Sequence, residues 1–138
     1  MHNAVNSMKE VFISPKIEVR DSQVHGRGVF AREFIKSGEI LEACHFFKIE
    51  LDWNRICNPM KGYVFSFPKP DGDTGDLAIV LGWGSIYNHS PAPNNNATWM
   101  VDKESGLYIF SAVSDIEAGS EIFTNYGSSY NFNQIRNI

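Results

Sequence analysis

Residues 87–94 read Tyr87-Asn88-His89-Ser90-Pro91-Ala92-Pro93-Asn94, and residues 119–127 read Gly119-Ser120-Glu121-Ile122-Phe123-Thr124-Asn125-Tyr126-Gly127. Each segment alone is typical of a turn beside a β-strand, because Gly, Asn and Ser favour turns and proline cannot continue a sheet ladder. The two prolines therefore predict that the chain leaves strand geometry around Asn88. The rest of the sequence decides whether the two segments belong to one site.

Composition indicates one folded domain. The chain has 138 residues, of which 43% are hydrophobic and 13% aromatic, enough for a core without disulfides or metals. The net charge is −4 and the pI is about 5.5. Because phosphate binding depends on clustered Lys and Arg, this balance argues against nucleic acid as a direct partner. A basic protein or peptide suits it better.

Cysteine usage predicts a reducing compartment. Cys44 and Cys57 are the two cysteines, too few for a disulfide framework or a four-thiolate zinc site. The sequence shows no secretory leader and no apolar run of membrane-spanning length. We expect a soluble intracellular protein with no membrane partner.

The hydrophobic pattern predicts a mainly β domain over residues 16–138, preceded by an irregular N-terminal arm, residues 1–15. Residues 52–62 are helix-like or irregular, and 69–76 form a surface loop rich in Asp and Gly. Short alternating or apolar runs predict strands at 17–20, 29–31, 40–44, 63–67, 77–81, 98–101, 107–113 and 121–125. The pattern alone fits a sandwich and a barrel-like set of small sheets equally well.

The glycine motif Gly26-Arg27-Gly28 lies between two predicted strands. Glycine lets a ligand approach the backbone closely, yet a plain tight turn has the same sequence. A dinucleotide fingerprint is excluded, because a third spaced glycine and a following helix are both missing.

Asn88 and His89 could hold the amino or carboxylate group of a ligand, and they also fit a loop with local side-chain caps. A hydrolase using Ser90 and His89 is disfavoured, since adjacent residues seldom align as nucleophile and base. A metal site on His25, His45 and His89 lacks recognisable ligand spacing.

Tyr126 closes the last predicted strand. A tyrosine there usually covers the core with its hydroxyl at the surface. Alternatively, the phenol can contact an amine and the charge that develops during a reaction.

Four motifs in order resemble the SET-domain protein lysine methyltransferases. They span roughly residues 16–132, nearly the whole chain, and are most similar to the minimal stand-alone SET proteins, including those of large DNA viruses. The matching segments are His25 to Ala31, Tyr63-Val64-Phe65, Gly82 to Ser90 with Pro93-Asn94, and Gly119, Glu121, Ile122, Tyr126 and Gly127.

The resemblance implies a SET-domain fold of several small curved sheets with a C-terminal pseudoknot. In it, the last segment passes beneath the loop formed by Asn88 to Ser90 and brings Asn88 beside Tyr126. It also implies S-adenosylmethionine-dependent methylation of a lysine side chain in a protein or peptide substrate, with histone as one candidate.

Site residues follow from the same resemblance. Tyr126 and Tyr63 are the implied catalytic residues. The implied cofactor contacts are Gly26, Arg27, Gly28, Asn88, His89 and Phe132, and the implied lysine channel comprises Tyr63, Thr124, Tyr126 and Tyr130. Thr124 occupies the position where channel size limits the number of methyl groups added.

Three departures from the family pattern affect these expectations. Pro91 replaces a frequent cysteine, Asn125 replaces a frequent aspartate, and the cysteine-rich segment after the tyrosine is missing, so we expect no zinc. The viral relatives pair as homodimers, which implies pairing here, and a histone substrate would place the protein in the nucleus. Two alternatives stay open: a catalytically silent SET-like binding domain, and a methyltransferase for a non-histone protein or a small amine.

Overall fold

Short strands dominate the fold, and the helical pieces are brief. The computed structural model describes residues 10–50, 53–67 and 76–125. A 3-10 turn at Trp53–Arg55 and one short helix, α1 (Asn58–Lys61), lie between the fifth and sixth strands. The strands are β1 (Phe12–Ile13), β2 (Ile17–Asp21), β3 (Arg27–Ala31), β4 (Ile40–Cys44), β5 (Phe46–Ile49), β6 (Phe65–Phe67), β7 (Asp76–Val80), β8 (Asn88–His89), β9 (Ala97–Asp102), β10 (Leu107–Ala112) and β11 (Glu121–Thr124).

One sheet has the order β1-β4-β10-β9. The β9–β10 hairpin joins two of the predicted strands and runs in register from Leu107 opposite Asp102 to Ala112 opposite Ala97. Gly106 in its turn has φ 72°, a conformation that glycine adopts without steric cost. The buried face of β10 carries Tyr108 and Phe110 into the main core.

The second sheet has the order β2-β3-β11-β8 and joins the segments singled out in the sequence. β11 pairs antiparallel with β3 and parallel with β8. The expectation that the chain leaves strand geometry at Asn88 is wrong for Asn88 and His89, which form β8. Their pairing partner is distant in sequence, and a local proline pattern cannot reveal it.

The third sheet, β5-β7-β6, packs its aromatic residues against the first. The Phe65 ring lies 5.2 Å from Trp99, 5.7 Å from Tyr108 and 5.9 Å from Phe110, centroid to centroid, all edge-on. Such edge-to-face contacts add to the area that these rings bury. The core therefore connects β6 to β9 and β10.

The mainly β prediction is confirmed, and the chain forms several small sheets rather than a sandwich. Phe12–Ile13, inside the predicted arm, pair with β4, while residues 1–9 lie outside the described residues. β5 was not predicted, and β3 begins at Arg27, within the predicted glycine turn. In the described part of the chain, no helix is long and apolar enough to cross a membrane.

Candidate functional site

The candidate site forms where β11 lies between β3 and β8. Phe123 is opposite Asn88 and Thr124 is opposite His89, while Ile122 is opposite Val29 on the other side. The chain leaving β8 stays on β11: Ser90 N donates to Thr124 O at 3.0 Å. The fold therefore joins the glycine motif, the Asn88 segment and the strand that leads to Tyr126.

A second set of contacts fixes β11 from Asn96, at the end of the loop that connects β8 to β9. Asn96 N donates to Phe123 O at 3.2 Å. The Asn96 side chain also accepts from Phe123 N at 2.8 Å and donates to Glu121 O at 3.0 Å. Its amide thus bonds β11 as a neighbouring strand would. The path of the chain after Asn125, which would complete the implied pseudoknot, lies outside the described residues.

Asn88 is fully buried and links three segments. Its Nδ2 donates to His25 O at 3.0 Å, to Arg27 O at 3.3 Å and to Glu121 Oε2 at 2.8 Å. Since an amide nitrogen has two hydrogens, the three acceptors share them. The side chain connects the glycine turn to β11, and its predicted contact with a cofactor stays a prediction.

The two glycines of the motif serve different purposes. Gly26 is exposed with φ 48°, and a Cβ built there would meet nothing within 4 Å. Gly28 is buried, and a Cβ there would collide with the Glu121 carboxylate and lie 3.1 Å from Asn88 Nδ2. Gly26 therefore permits the turn, whereas Gly28 permits close packing. Arg27 between them is exposed, with Nε 3.6 Å from Asp21 Oδ1.

Three further predicted residues lie around this centre. His89 is half-buried on β8. Tyr63 is 44% exposed, and its carbonyl oxygen accepts from Ser85 Oγ at 2.9 Å, which links it to the turn before Asn88. Thr124 is fully buried, and its Oγ1 has no hydrogen-bond partner among the described residues. Buried hydroxyls are nearly always bonded, so this atom is a candidate contact for a polar ligand or a water molecule.

Tyr126, Tyr130 and Phe132 lie outside the described residues. Their catalytic, channel and cofactor roles stay predictions. Asn125 is the last described residue, directly before Tyr126.

The sequence did not point to Glu42, a fully buried carboxylate in β4. Its Oε2 accepts from Trp83 N at 2.7 Å and its Oε1 from the Tyr87 hydroxyl at 2.9 Å. A Cβ at Gly82, which has φ 66°, would collide with the same carboxylate. Glu42 thus fixes both ends of the turn that leads into Asn88. The available signal was an acidic residue within an otherwise apolar strand.

Burial shifts the pKa values of the acidic groups in this cluster. It raises the pKa of Glu42, although the hydrogen bonds from Trp83 and Tyr87 oppose the shift. Burial and then the charge of Glu42 raise the pKa of the Tyr87 phenol and of the Cys44 thiol. Tyr87 therefore donates as a neutral hydroxyl.

No three His, Cys, Asp or Glu side chains gather into a metal site within residues 10–50, 53–67 and 76–125. In particular, the structure does not unite His25, His45 and His89 into one.

Comparison with known proteins identifies the family. The SET domain model matches residues 26–127. A histone-lysine N-methyltransferase of Schizosaccharomyces pombe, specific for H3 lysine-37, is 28% identical over 123 residues, covering 87% of this chain and 79% of that protein.

Solved structures agree in fold. A Plasmodium falciparum protein described as a candidate histone methyltransferase superposes with a TM-score of 0.66 and 30% identity, covering 86% of this chain and 98% of that one. The Neurospora SET domain protein DIM-5, a histone lysine methyltransferase, gives a TM-score of 0.59 and 18% identity, covering 83% of this chain and 53% of that one. The family model matches residues 26–127, which is most of the chain, and the motif segments meet at β11. This chain therefore belongs to the SET-domain family.

Proposed function

We propose that this chain transfers methyl groups from S-adenosylmethionine to the side-chain amine of a lysine in a protein substrate. The supporting observation is the position of β11, which brings the glycine turn, Asn88 and the strand before Tyr126 to one place. The Schizosaccharomyces pombe relative, a histone-lysine N-methyltransferase, supports the same reaction class.

The described residues fit the cofactor. Gly26 leaves open space above an exposed backbone, and His89 is half-buried on β8, which pairs with β11. Backbone groups at such a turn can bind the polar ends of S-adenosylmethionine. Gly26, Arg27, Gly28, Asn88 and His89 are the residues proposed to hold it, with Phe132 stacking on the adenine. When bound, the cofactor supplies an activated methyl group on a sulfonium.

The chain's own residues then orient the lysine. Tyr63, Tyr126 and Tyr130 form the proposed channel, whose apolar walls favour the neutral amine by disfavouring its charged form. The Tyr126 hydroxyl is proposed to accept a hydrogen bond from that amine and so align it for attack. Thr124, whose hydroxyl has no partner among the described residues, lies two residues earlier and is proposed to limit the space for methyl groups.

Histone H3 is the first substrate to test, because the relative from Schizosaccharomyces pombe is specific for H3 lysine-37. Activity on histone would place the protein in the nucleus. Pairing of two chains, as in the viral relatives, is a further part of the proposal.

Labelled S-adenosylmethionine tests the reaction directly. The protein is incubated with recombinant H3 and, separately, with cell lysate, and methylated lysines are located by mass spectrometry. Label on H3 lysine supports a histone enzyme, whereas label confined to lysate proteins supports a non-histone target. Failure of both to accept label, with cofactor binding intact by calorimetry, would favour the silent binding domain.

Tyr126→Phe tests the catalytic assignment. The variant should bind S-adenosylhomocysteine normally and lose roughly 100-fold or more in transfer rate. Tyr108→Phe is the matched control, since the Tyr108 hydroxyl donates to Ser66 O at 2.8 Å in the core, away from β11. Equal rates for the two variants would contradict the role of Tyr126.

A further inference from the structure

We propose that Glu121 is a positioning residue that holds the cofactor turn and Asn88 in one arrangement. The cofactor turn is defined here as residues 22–28. The inference rests on the proposed function, since it assigns Glu121 to the site that would bind S-adenosylmethionine. Its role is to orient other groups rather than to contact reacting atoms.

Two contacts from one carboxylate support this role. Glu121 Oε2 accepts from Asn88 Nδ2 at 2.8 Å, and the Ser22 hydroxyl donates to the same carboxylate, 2.8 Å from Oε1 and 3.0 Å from Oε2. The carboxylate therefore bridges β8 and the start of the cofactor turn. It does so from β11, the strand that continues to Tyr126.

Ser22 transmits the contact to the backbone of the turn. Its Oγ accepts from Val24 N at 2.9 Å and from His25 N at 3.4 Å. Ser22 N donates to Gly26 O at 2.8 Å and closes the turn. Moving the Ser22 hydroxyl would therefore displace backbone groups on both sides of Gly26.

A carboxylate suits this place better than an amide. Both neighbours, the Ser22 hydroxyl and the Asn88 amide, present hydrogens to Glu121. A glutamine would direct its own NH2 group at one of them, and Ser22 already accepts two backbone hydrogens. Glu121→Gln keeps the shape of the side chain but, in either orientation of its amide, places an NH2 group against Ser22 or Asn88 and so weakens the bridge.

Gly28 is part of the same arrangement. The Glu121 carboxylate occupies the space into which a Cβ at residue 28 would project. The glycine motif thus leaves room for the carboxylate as well as for a ligand.

Burial along β11 predicts which kinetic parameter depends on Glu121. Ile122 and Thr124 are fully buried, whereas Glu121 and Phe123 are half-buried and alternate with them. Glu121 thus faces the cofactor turn, opposite to the face of Thr124. We expect its loss to weaken cofactor binding while leaving the transfer step nearly intact.

The experiment compares Glu121→Gln with Glu117→Gln, an exposed control with the same charge change. Affinity for S-adenosylhomocysteine is measured by calorimetry, and kcat and KM for S-adenosylmethionine are measured with the protein substrate. Glu121→Gln should bind S-adenosylhomocysteine about tenfold more weakly or worse, with a similar rise in KM and kcat within about threefold. Glu117→Gln should match the wild type.

A measurement without ligand separates this inference from the proposed function. In the wild type the Asn88 amide protons should exchange slowly with solvent, as read by nuclear magnetic resonance. Their exchange should accelerate about tenfold in Glu121→Gln. If the wild type binds no S-adenosylhomocysteine, the proposed function fails. The exchange rates of the Asn88 amide protons still show whether Glu121 restrains the Asn88 side chain.

Ser22→Ala serves if Glu121→Gln does not fold, because it removes one link and leaves the Asn88 contact in place. It should weaken S-adenosylhomocysteine binding less than Glu121→Gln but measurably. Wild-type affinity in a folded variant, unchanged Asn88 exchange, or a fall in kcat equal to the fall in kcat/KM would each overturn the inference.

Discussion

The Tyr87 hydroxyl donates to Glu42 Oε1 at 2.9 Å inside the core, one residue before Asn88. The Tyr87 ring also stacks on Phe110, with centroids 4.7 Å apart and planes at 11°. One side chain therefore joins the buried carboxylate of β4 to the aromatic core. Since Asn88 follows directly, this pair anchors the strand that the site requires.

Tyr87→Phe should lower the free energy of unfolding by about 1–3 kcal/mol. The ring and its stacking remain, but the buried Glu42 oxygen loses its donor. Urea denaturation of wild type and variant at one pH measures the difference.

Tyr108→Phe is the control for this prediction. Tyr108 is equally buried, and its hydroxyl donates to the neutral carbonyl of Ser66 at 2.8 Å. Hydrogen bonds to charged groups contribute more than neutral ones, so this control should cost only about 0.5–1.5 kcal/mol. Equal losses would indicate that Glu42 is protonated and neutral in the folded protein.

Stability should depend on pH through Glu42. Burial raises its pKa above the ordinary value of 4.5, so the folded state binds the proton more tightly than the unfolded state. Its contribution is fully present below pH 4.5 and is lost as pH rises through the raised pKa. Glu42→Gln stays neutral and can still bond Trp83 N and Tyr87. The variant should therefore gain stability relative to the wild type as pH rises above about 4.5 and through the raised pKa of Glu42.

Glu39→Gln should show the opposite trend. The Lys36 backbone N–H lowers the pKa of Glu39 most, burial opposes it by a smaller amount, and the Lys16 ammonium lowers the pKa further. Its contribution is present above pH 4.5 and is lost as pH falls through the lowered pKa. Glu39 is about one-third exposed, so the effect is small. If the stabilities of Glu39→Gln and Glu42→Gln, each relative to the wild type, change with pH in the same direction, the raised pKa assigned to Glu42 is contradicted.

Gly28→Ala should damage the site rather than the turn. A Cβ there displaces the Glu121 carboxylate and crowds Asn88 Nδ2, so we expect a loss of about 1–3 kcal/mol in stability and weaker cofactor binding.

Gly106→Ala is the control, since its cost comes from the positive φ of 72° and a Cβ there would meet open space. It should lose about 1–2 kcal/mol without affecting cofactor binding. Adding Glu121→Ala to Gly28→Ala should recover part of the stability, as unfolding in urea would reveal.

Local patterns predicted the elements but not their partners. Alternation identified β2, and a fully apolar run identified β7, because each pattern depends on neighbours in sequence. β8 has two residues and one parallel partner more than thirty positions away, so no window could reveal it. Family resemblance brought Asn88 and the last strand together. It gave no role to Glu121 or Glu42, whose contacts depend on side-chain packing between sheets.

Asn96→Asp should loosen β11. The change keeps the size of the side chain but turns its donor toward Glu121 O into an acceptor, which leaves two oxygens facing each other. We expect a loss of about 1–3 kcal/mol in unfolding free energy and a reduced transfer rate. Asn94→Asp, at an exposed position of the same loop, adds the same charge and should change neither. Indistinguishable variants would show that the Asn96 amide does not hold the strand.

Thr124→Val tests whether the buried hydroxyl contributes to stability or to the number of methyl groups added. Thr124 is fully buried and its Oγ1 has no partner within residues 10–50, 53–67 and 76–125; a buried hydroxyl left without a hydrogen bond costs roughly 1–3 kcal/mol. If nothing bonds this atom in solution, the nearly isosteric valine should raise the unfolding free energy by about 1 kcal/mol. Thr98→Val, at an exposed position of β9, controls for the general effect of the substitution and should change stability by less than about 0.5 kcal/mol. The number of methyl groups added to the product is read by mass spectrometry. If Thr124→Val is more stable than the wild type and adds a different number, the hydroxyl serves the site at a cost in stability. A destabilised variant would instead show that Oγ1 has a hydrogen-bond partner in the free protein.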